Sequence, residues 1–247
     1  MKKLFILFAV VGLIAVSASY AYAQTAPTGT ELRVENDMPI HQQLKVKFIE
    51  GGAGFMAFIL VCLILGLAIA IERIIYLNLS STNTDKLLKN VEKALQEGGI
   101  EAAKEVCRNT RGPVASIFYQ GISRMDEGMD IVEKSVVSYG GVQMSQMENG
   151  LSWIQLFIAI APMLGFLGTV VGMVEAFDAI EAAGDISPAI VAGGMKVALI
   201  TTIGGLVAAI ILQVFYNYLL SKIDALVLAM EDSSISLVDM LVKYNKK

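Results

Sequence analysis

Among the polar side chains inside two long apolar runs, five could do chemistry: Thr169, Glu175 and Asp178 in residues 151–180, and Lys196 and Thr202 in residues 188–220. A hydroxyl in such a helix can bond back to the carbonyl four residues earlier, or it can meet water and partner groups if it faces a bundle or a wet cavity. Spacing alone leaves both roles open for Thr169 and Thr202: helix packing, or the lining of a polar path. An ionisable group within a bilayer is costly enough to be a functional candidate by default. Counted from the short link between the runs, Glu175 and Lys196 lie at comparable depth, which predicts an ion pair near the outer mouth; the alternative is that each reaches the interface alone.

The elements that carry these residues are too long and too apolar for core helices. About 20 apolar residues cross a bilayer, whereas the two runs would extend about 45 and about 50 Å as helices. They read as a transmembrane hairpin whose ends continue into water. In the first, Gly165, Gly168, Thr169 and Gly172 recur at helical spacing; in the second, Gly194, Ala198, Thr202, Gly205 and Ala209 do the same. Small residues so placed let helix backbones approach closely in lipid. Each span therefore has one face meant for protein.

A third span precedes them at residues 55–77, with Glu72 and Arg73 near its far end, where they can reach headgroups or pair. Before it, residues 1–23 have a Lys2-Lys3 start, a short apolar middle and an Ala21-Tyr22-Ala23 end, the three parts of a secretory signal peptide. Residues 24–54 are polar and rich in Pro and Gly, and end in a turn or two of surface helix around Leu44 to Ile49. Residues 78–150 read as short amphipathic helices, with an N-cap-rich start at 80–84, a stop at Gly98-Gly99 and a weak point at Gly140-Gly141.

Basic residues set the orientation. Nine Lys or Arg lie between Arg73 and Lys134, and none in the link 181–187. The positive-inside rule puts 78–150 and the C-terminal helix 221–247 in the cytoplasm, with 24–54 and the link outside. The fold class is thus an all-α, three-span membrane protein of the bacterial inner membrane, whose last two helices extend into a cytoplasmic helical region. A chain 55% hydrophobic and 17% charged fits that class.

Several function classes find no support. No phosphate-binding glycine loop occurs, no nucleophile sits beside a plausible base, and the one His and two Cys make neither a metal site nor a disulfide framework. The expectation is no enzyme, no cofactor and no metal. A net charge of −4 gives no reason to expect nucleic acid. Three spans with hydroxyls on small-residue faces suggest a subunit that works by assembling.

The string Ala161-Pro162-x-x-Gly165-x-x-Gly168-Thr169-Val170-x-Gly172, followed by Ala198-Leu199-x-x-Thr202-x-x-Gly205-Leu206-Val207-Ala208-Ala209-Ile210, resembles the MotA/TolQ/ExbB proton-channel family, its ExbB branch most closely. The resemblance covers about Phe55 to the C-terminus. It implies a homo-oligomer, a pentameric ring, with the last two spans around a dimer of an ExbD-like single-span partner, and Thr169 and Thr202 facing the pore. It also implies a stator role in a proton-driven motor that, through a TonB-like protein, energises transport across the outer membrane. A TolQ-like role in envelope maintenance is the alternative within the family, and a non-conducting scaffold the alternative outside it. Members of the ExbB branch often carry a glutamate early in the last span, where this chain has Lys196-Val197.

Overall fold

The computed structural model describes residues 39–185 and 187–245, so the signal-like segment 1–23 and residues 24–38 of the polar segment lie outside the described residues. The chain divides into two units, 1–43 and 44–247. Of the first, residues 40–43 open helix α1 (Ile40–Glu50). The membrane-spanning helices and both threonines belong to the second.

Six further α-helices succeed α1 among the described residues: α2 (Ala53–Ser80), α3 (Thr84–Asn109), α4 (Pro113–Ser123), α5 (Met129–Glu148), α6 (Leu151–Ala183) and α7 (Pro188–Asn245). A single 3-10 turn, Met125–Glu127, joins α4 to α5. No strand occurs among the described residues. Three stretches, carried by α2, α6 and α7, are long and apolar enough to cross a membrane. The protein is an all-α, multi-pass membrane protein.

Local sequence accounts for the helix limits. The Asn83 side chain caps α3 by accepting from Lys86 N at 3.0 Å. Gly98-Gly99 interrupts α3 where a stop was expected: Gly99, at φ 70° and ψ −162°, leaves the helical conformation, and a second helical segment follows across this kink to Asn109. Pro113 occupies the first turn of α4, where its missing N–H would be unpaired anyway. α5 passes straight through Gly140-Gly141, the expected weak point. Two interior glycines cost about 1 kcal/mol each, and buried Val132, Val136 and Met147 on either side hold the helix in place. Only Asn149 and Gly150 separate α5 from α6, and Gly150 turns the chain at φ 86°.

The last helix is one piece. α7 has 58 residues, so the sequence division between a span at 188–220 and a separate helix at 221–247 is not marked by any break. At about 1.5 Å per residue it is about 87 Å long, nearly three hydrocarbon thicknesses. Its first half packs with α6 and α2, its second with the polar helices.

Those two halves have opposite packing chemistry. Around the second half, large side chains point inward: Leu95, Phe118, Ile122, Met147, Ile223, Leu237 and Leu241 belong to one buried cluster that ties α3, α4, α5 and α7 together. Around the first half the buried positions are small, with Ala161, Gly165, Gly168, Ala198, Gly205 and Ala208 at the contacts. There the bulky residues face out, such as Phe166, Leu199 and Ile203. Hydrophobic burial in water drives the first arrangement, whereas in lipid close backbone approach replaces it.

Candidate functional site

The seam between α6 and α7 is built by the small residues. A Cβ added to Gly165 would lie 2.9 Å from the Thr201 carbonyl oxygen and 3.2 Å from Thr202 Cα; one on Gly172 would lie 3.3 Å from Ala198 N. Facing them, a Cβ on Gly205 would lie 2.5 Å from the Ala161 carbonyl oxygen, and one on Gly194 would collide with Ala176 Cβ. Backbone thus meets backbone along several turns. All the packing glycines read from sequence, Gly165, Gly168, Gly172, Gly194 and Gly205, lie in this seam with Ala198; Ala209 is only half-buried beside it. Pro162 lies inside α6 at the same contact and leaves the carbonyl four residues earlier without its usual helical donor.

At the edge of the seam the two threonines meet. Thr169 Oγ1 and Thr202 Oγ1 are in direct hydrogen-bond contact, and either can be the donor. Thr169 Oγ1 also reaches Gly165 O on its own helix at 3.2 Å and Ala198 O on the other at 3.1 Å. Thr202 Oγ1 mirrors this, with Ala198 O on its own helix at 3.3 Å and Gly165 O across the seam at 3.4 Å. Two hydroxyl protons cannot satisfy all these contacts at once, so the pair has alternative donor directions. Both residues are half-buried. Such a knot can hold two helices together and still offer lone pairs to water or to a passing carboxyl group.

Sequence reading missed Thr201, which is fully buried. Its Oγ1 donates to Ala198 O at 2.8 Å, and it fills the space opposite Gly168, whose added Cβ would lie 2.9 Å from it. Of the adjacent pair, Thr201 is the packing residue and Thr202 stands at the rim. The buried series Ala198, Thr201, Gly205, Ala208, Leu212 alternates steps of three and four, which is the signal that distinguishes them.

Charges near the α6–α7 link are arranged differently from the expected pair. Lys196 does not meet Glu175: its Nζ donates to Glu50 Oε1 at 2.7 Å, at the end of α1. Glu175 and Asp178 are exposed, and among the described residues neither forms an ion pair within 4.0 Å. Counting from the link could not foresee that a residue 146 positions away would supply the partner of Lys196. The Lys196 ammonium, and after it that of Lys47, holds the Glu50 carboxyl below its ordinary range. At the other end of α2, Arg73 pairs with Glu72 at 2.6 Å, lies over the Tyr76 ring at 4.9 Å and donates to Gln146 O at 3.4 Å. No group of three or more metal-ligating side chains is found among the described residues.

Comparison with known proteins decides the family. Residues 109–232, which include the whole α6–α7 seam, match the MotA/TolQ/ExbB proton channel family. The chain belongs to that family. It is 37% identical over 163 residues to a biopolymer transport protein ExbB homolog of Methanothermobacter thermautotrophicus, covering 65% of this chain and 57% of that protein. It is 28% identical over 165 residues to the biopolymer transport protein exbB1 of Vibrio cholerae, covering 64% and 71% of the two chains. Over 84 residues it is 33% identical to the Tol-Pal system protein TolQ of Haemophilus influenzae, covering 34% and 37%. Within the MotA/TolQ/ExbB family the chain is most like ExbB, and the Thr169–Thr202 knot falls inside the family match.

Proposed function

We propose that this chain is an ExbB-like stator subunit of an inner-membrane, proton-driven motor. Copies of it form a ring, pentameric by resemblance, around the membrane helices of an ExbD-like partner, and a TonB-like protein carries the work to outer-membrane receptors. Cleavage after residue 23 leaves 24–54 outside; α2, α6 and α7 cross the membrane; 78–150 and the end of α7 lie in the cytoplasm, and the link 181–187 lies outside.

The observation that carries this reading is the hydroxyl knot. Thr169 and Thr202 sit at the open edge of a seam made of backbone and small side chains, half-exposed, with more acceptors than protons. Lining a path with such hydroxyls lowers the desolvation cost of moving a proton past an apolar wall. The carboxylate that carries the proton belongs to the partner. A TolQ-like role in envelope maintenance is the second reading, favoured by the 33% identity with TolQ over 84 residues.

The test replaces both hydroxyls by isosteric methyls, Thr169→Val with Thr202→Val. Rings purified with the ExbD-like partner are expected to keep their stoichiometry, while proton-dependent receptor uptake in cells is abolished. A fully assembled double variant with normal uptake and an intact envelope would remove the pore role and leave the scaffold reading. Loss of envelope integrity with normal uptake would select the TolQ-like role.

A further inference from the structure

The corner between α1 and α2 has no part in the knot, yet it lies on the same stretch of α7. Gly51 is buried there, and a Cβ on it would stand 2.7 Å from Ile200 Cγ2. Gly52, at φ 75°, a conformation that favours glycine, brings its own position within 3.6 Å of Val197 Cγ1. One turn further along, the Met56 thioether fills the space over Gly204, 3.1 Å from where a Cβ would stand. Val197, Ile200 and Gly204 form one stripe of α7, and at 3.6 residues per turn this stripe lies about 100° around the helix from the stripe that meets α6. α7 is therefore gripped on two adjacent faces, with Thr202 at the edge away from the corner.

Charge fastens this corner. Glu50 immediately precedes Gly51, and its two oxygens are taken by different ammonium groups: Oε1 by Lys196 Nζ at 2.7 Å, Oε2 by Lys47 Nζ at 3.0 Å. Lys47 keeps the carboxylate oriented on its own helix. Lys196 ties it to α7, one residue before Val197.

We propose that Glu50 and Lys196 are positioning residues, an outer latch that clamps the α1–α2 corner onto α7 and so fixes the roll of α7 that keeps Thr202 against Thr169. With the latch open, this end of α7 would keep only its seam with α6 and its contacts with α2 beyond the corner, and small residues on both sides of that seam resist rotation poorly. The effect on transport rests on the proposed pore role of the two threonines; the latch itself does not.

The experiment reads both separately. In native membranes holding the full chain, a water-soluble carbodiimide converts a carboxylate and an ammonium in contact into an amide, the carbodiimide taking up the water. Mass spectrometry of the digest is expected to find Glu50 joined to Lys196 in the native chain. That product should be absent from Lys196→Gln and reduced in Gly51→Ala, where the new methyl lifts the corner off Ile200. In cells, Glu50→Lys and Lys196→Glu are each expected to lower energised uptake about fivefold, the upper range for an exposed ion pair, at unchanged ring abundance. The combined reversal should recover uptake to within about twofold of native, because the pair is coupled, and Lys196→Arg should be near native.

Failure to find the Glu50–Lys196 product while the Glu50–Lys47 product forms would overturn the latch. Single reversals with native uptake, or a combined reversal no better than the worse single, would overturn its positioning role. Silence of Thr169→Val with Thr202→Val in a chain that still gives the Glu50–Lys196 product would sink the pore reading and leave the latch standing.

Discussion

Replacing Gly205 by alanine adds one methyl group at a point where the two helices have no room for it. Its Cβ would lie 2.5 Å from the Ala161 carbonyl oxygen and 3.2 Å from the Cα atoms of Gly165 and Pro162. All three are backbone atoms, so no side chain can turn aside and the two helices themselves must part, by about 0.5 Å even to bring the shortest contact to the edge of what is tolerated. Overpacking of this kind costs about 1–3 kcal/mol. Gly193, on the same helix, has nothing within 4 Å of its Cβ position and serves as the reference. Gly→Ala in a helix interior gains about 0.5–1 kcal/mol from backbone propensity. That gain is common to both sites, so the difference between the two variants isolates the clash. Unfolding of purified protein in mild detergent, titrated with SDS and followed by far-UV circular dichroism, is expected to place Gly205→Ala about 1–3 kcal/mol below Gly193→Ala. Equal stability within about 0.5 kcal/mol would refute the claim that backbone contact holds this seam.

Two predictions concern titrating groups outside the spans. Cys107 is 2% exposed and burial pushes its thiol up to about 12, so in a Cys62→Ala background a maleimide at neutral pH should leave the native protein unlabelled and modify it only after denaturation; rapid labelling of folded protein would contradict its place in the core. Glu50 has a folded value lowered below 4.5, so its stabilising charge is fully present above that ordinary value and is lost only as pH falls through the lower one. Paramagnetic labels on the corner and on α7 should therefore report an unchanged separation as the pH is taken down to 4.5, with release only below it; release between neutral pH and 4.5 would contradict the assignment.

Much of the architecture was already determined by composition and periodicity. The three apolar runs have the length a bilayer demands, and the small-residue stripes name the faces that α6 and α7 turn to each other, because in lipid only small residues allow such approach. The helical character of 78–150 and its packing against the end of α7 also derive from amphipathic spacing. What sequence could not decide was rotation by a fraction of a turn and contact between distant segments. Thr201 and Thr202 are neighbours about 100° apart on one helix, and only the docking angle of α6 determines that one is sealed against Gly168 while the other meets Thr169 at the rim. Gly99 and Gly140 are alike as helix breakers in isolation, yet α3 kinks at one and α5 runs straight through the other. Counting from the link paired Lys196 with Glu175 and took no account of Glu50 at the end of α1. The tight Gly51-Gly52 corner, pressed on Ile200, brings Glu50 to Lys196. Periodicity is a property of one segment, whereas these choices depend on the relative placement of several, and that placement exists only once the helices have packed.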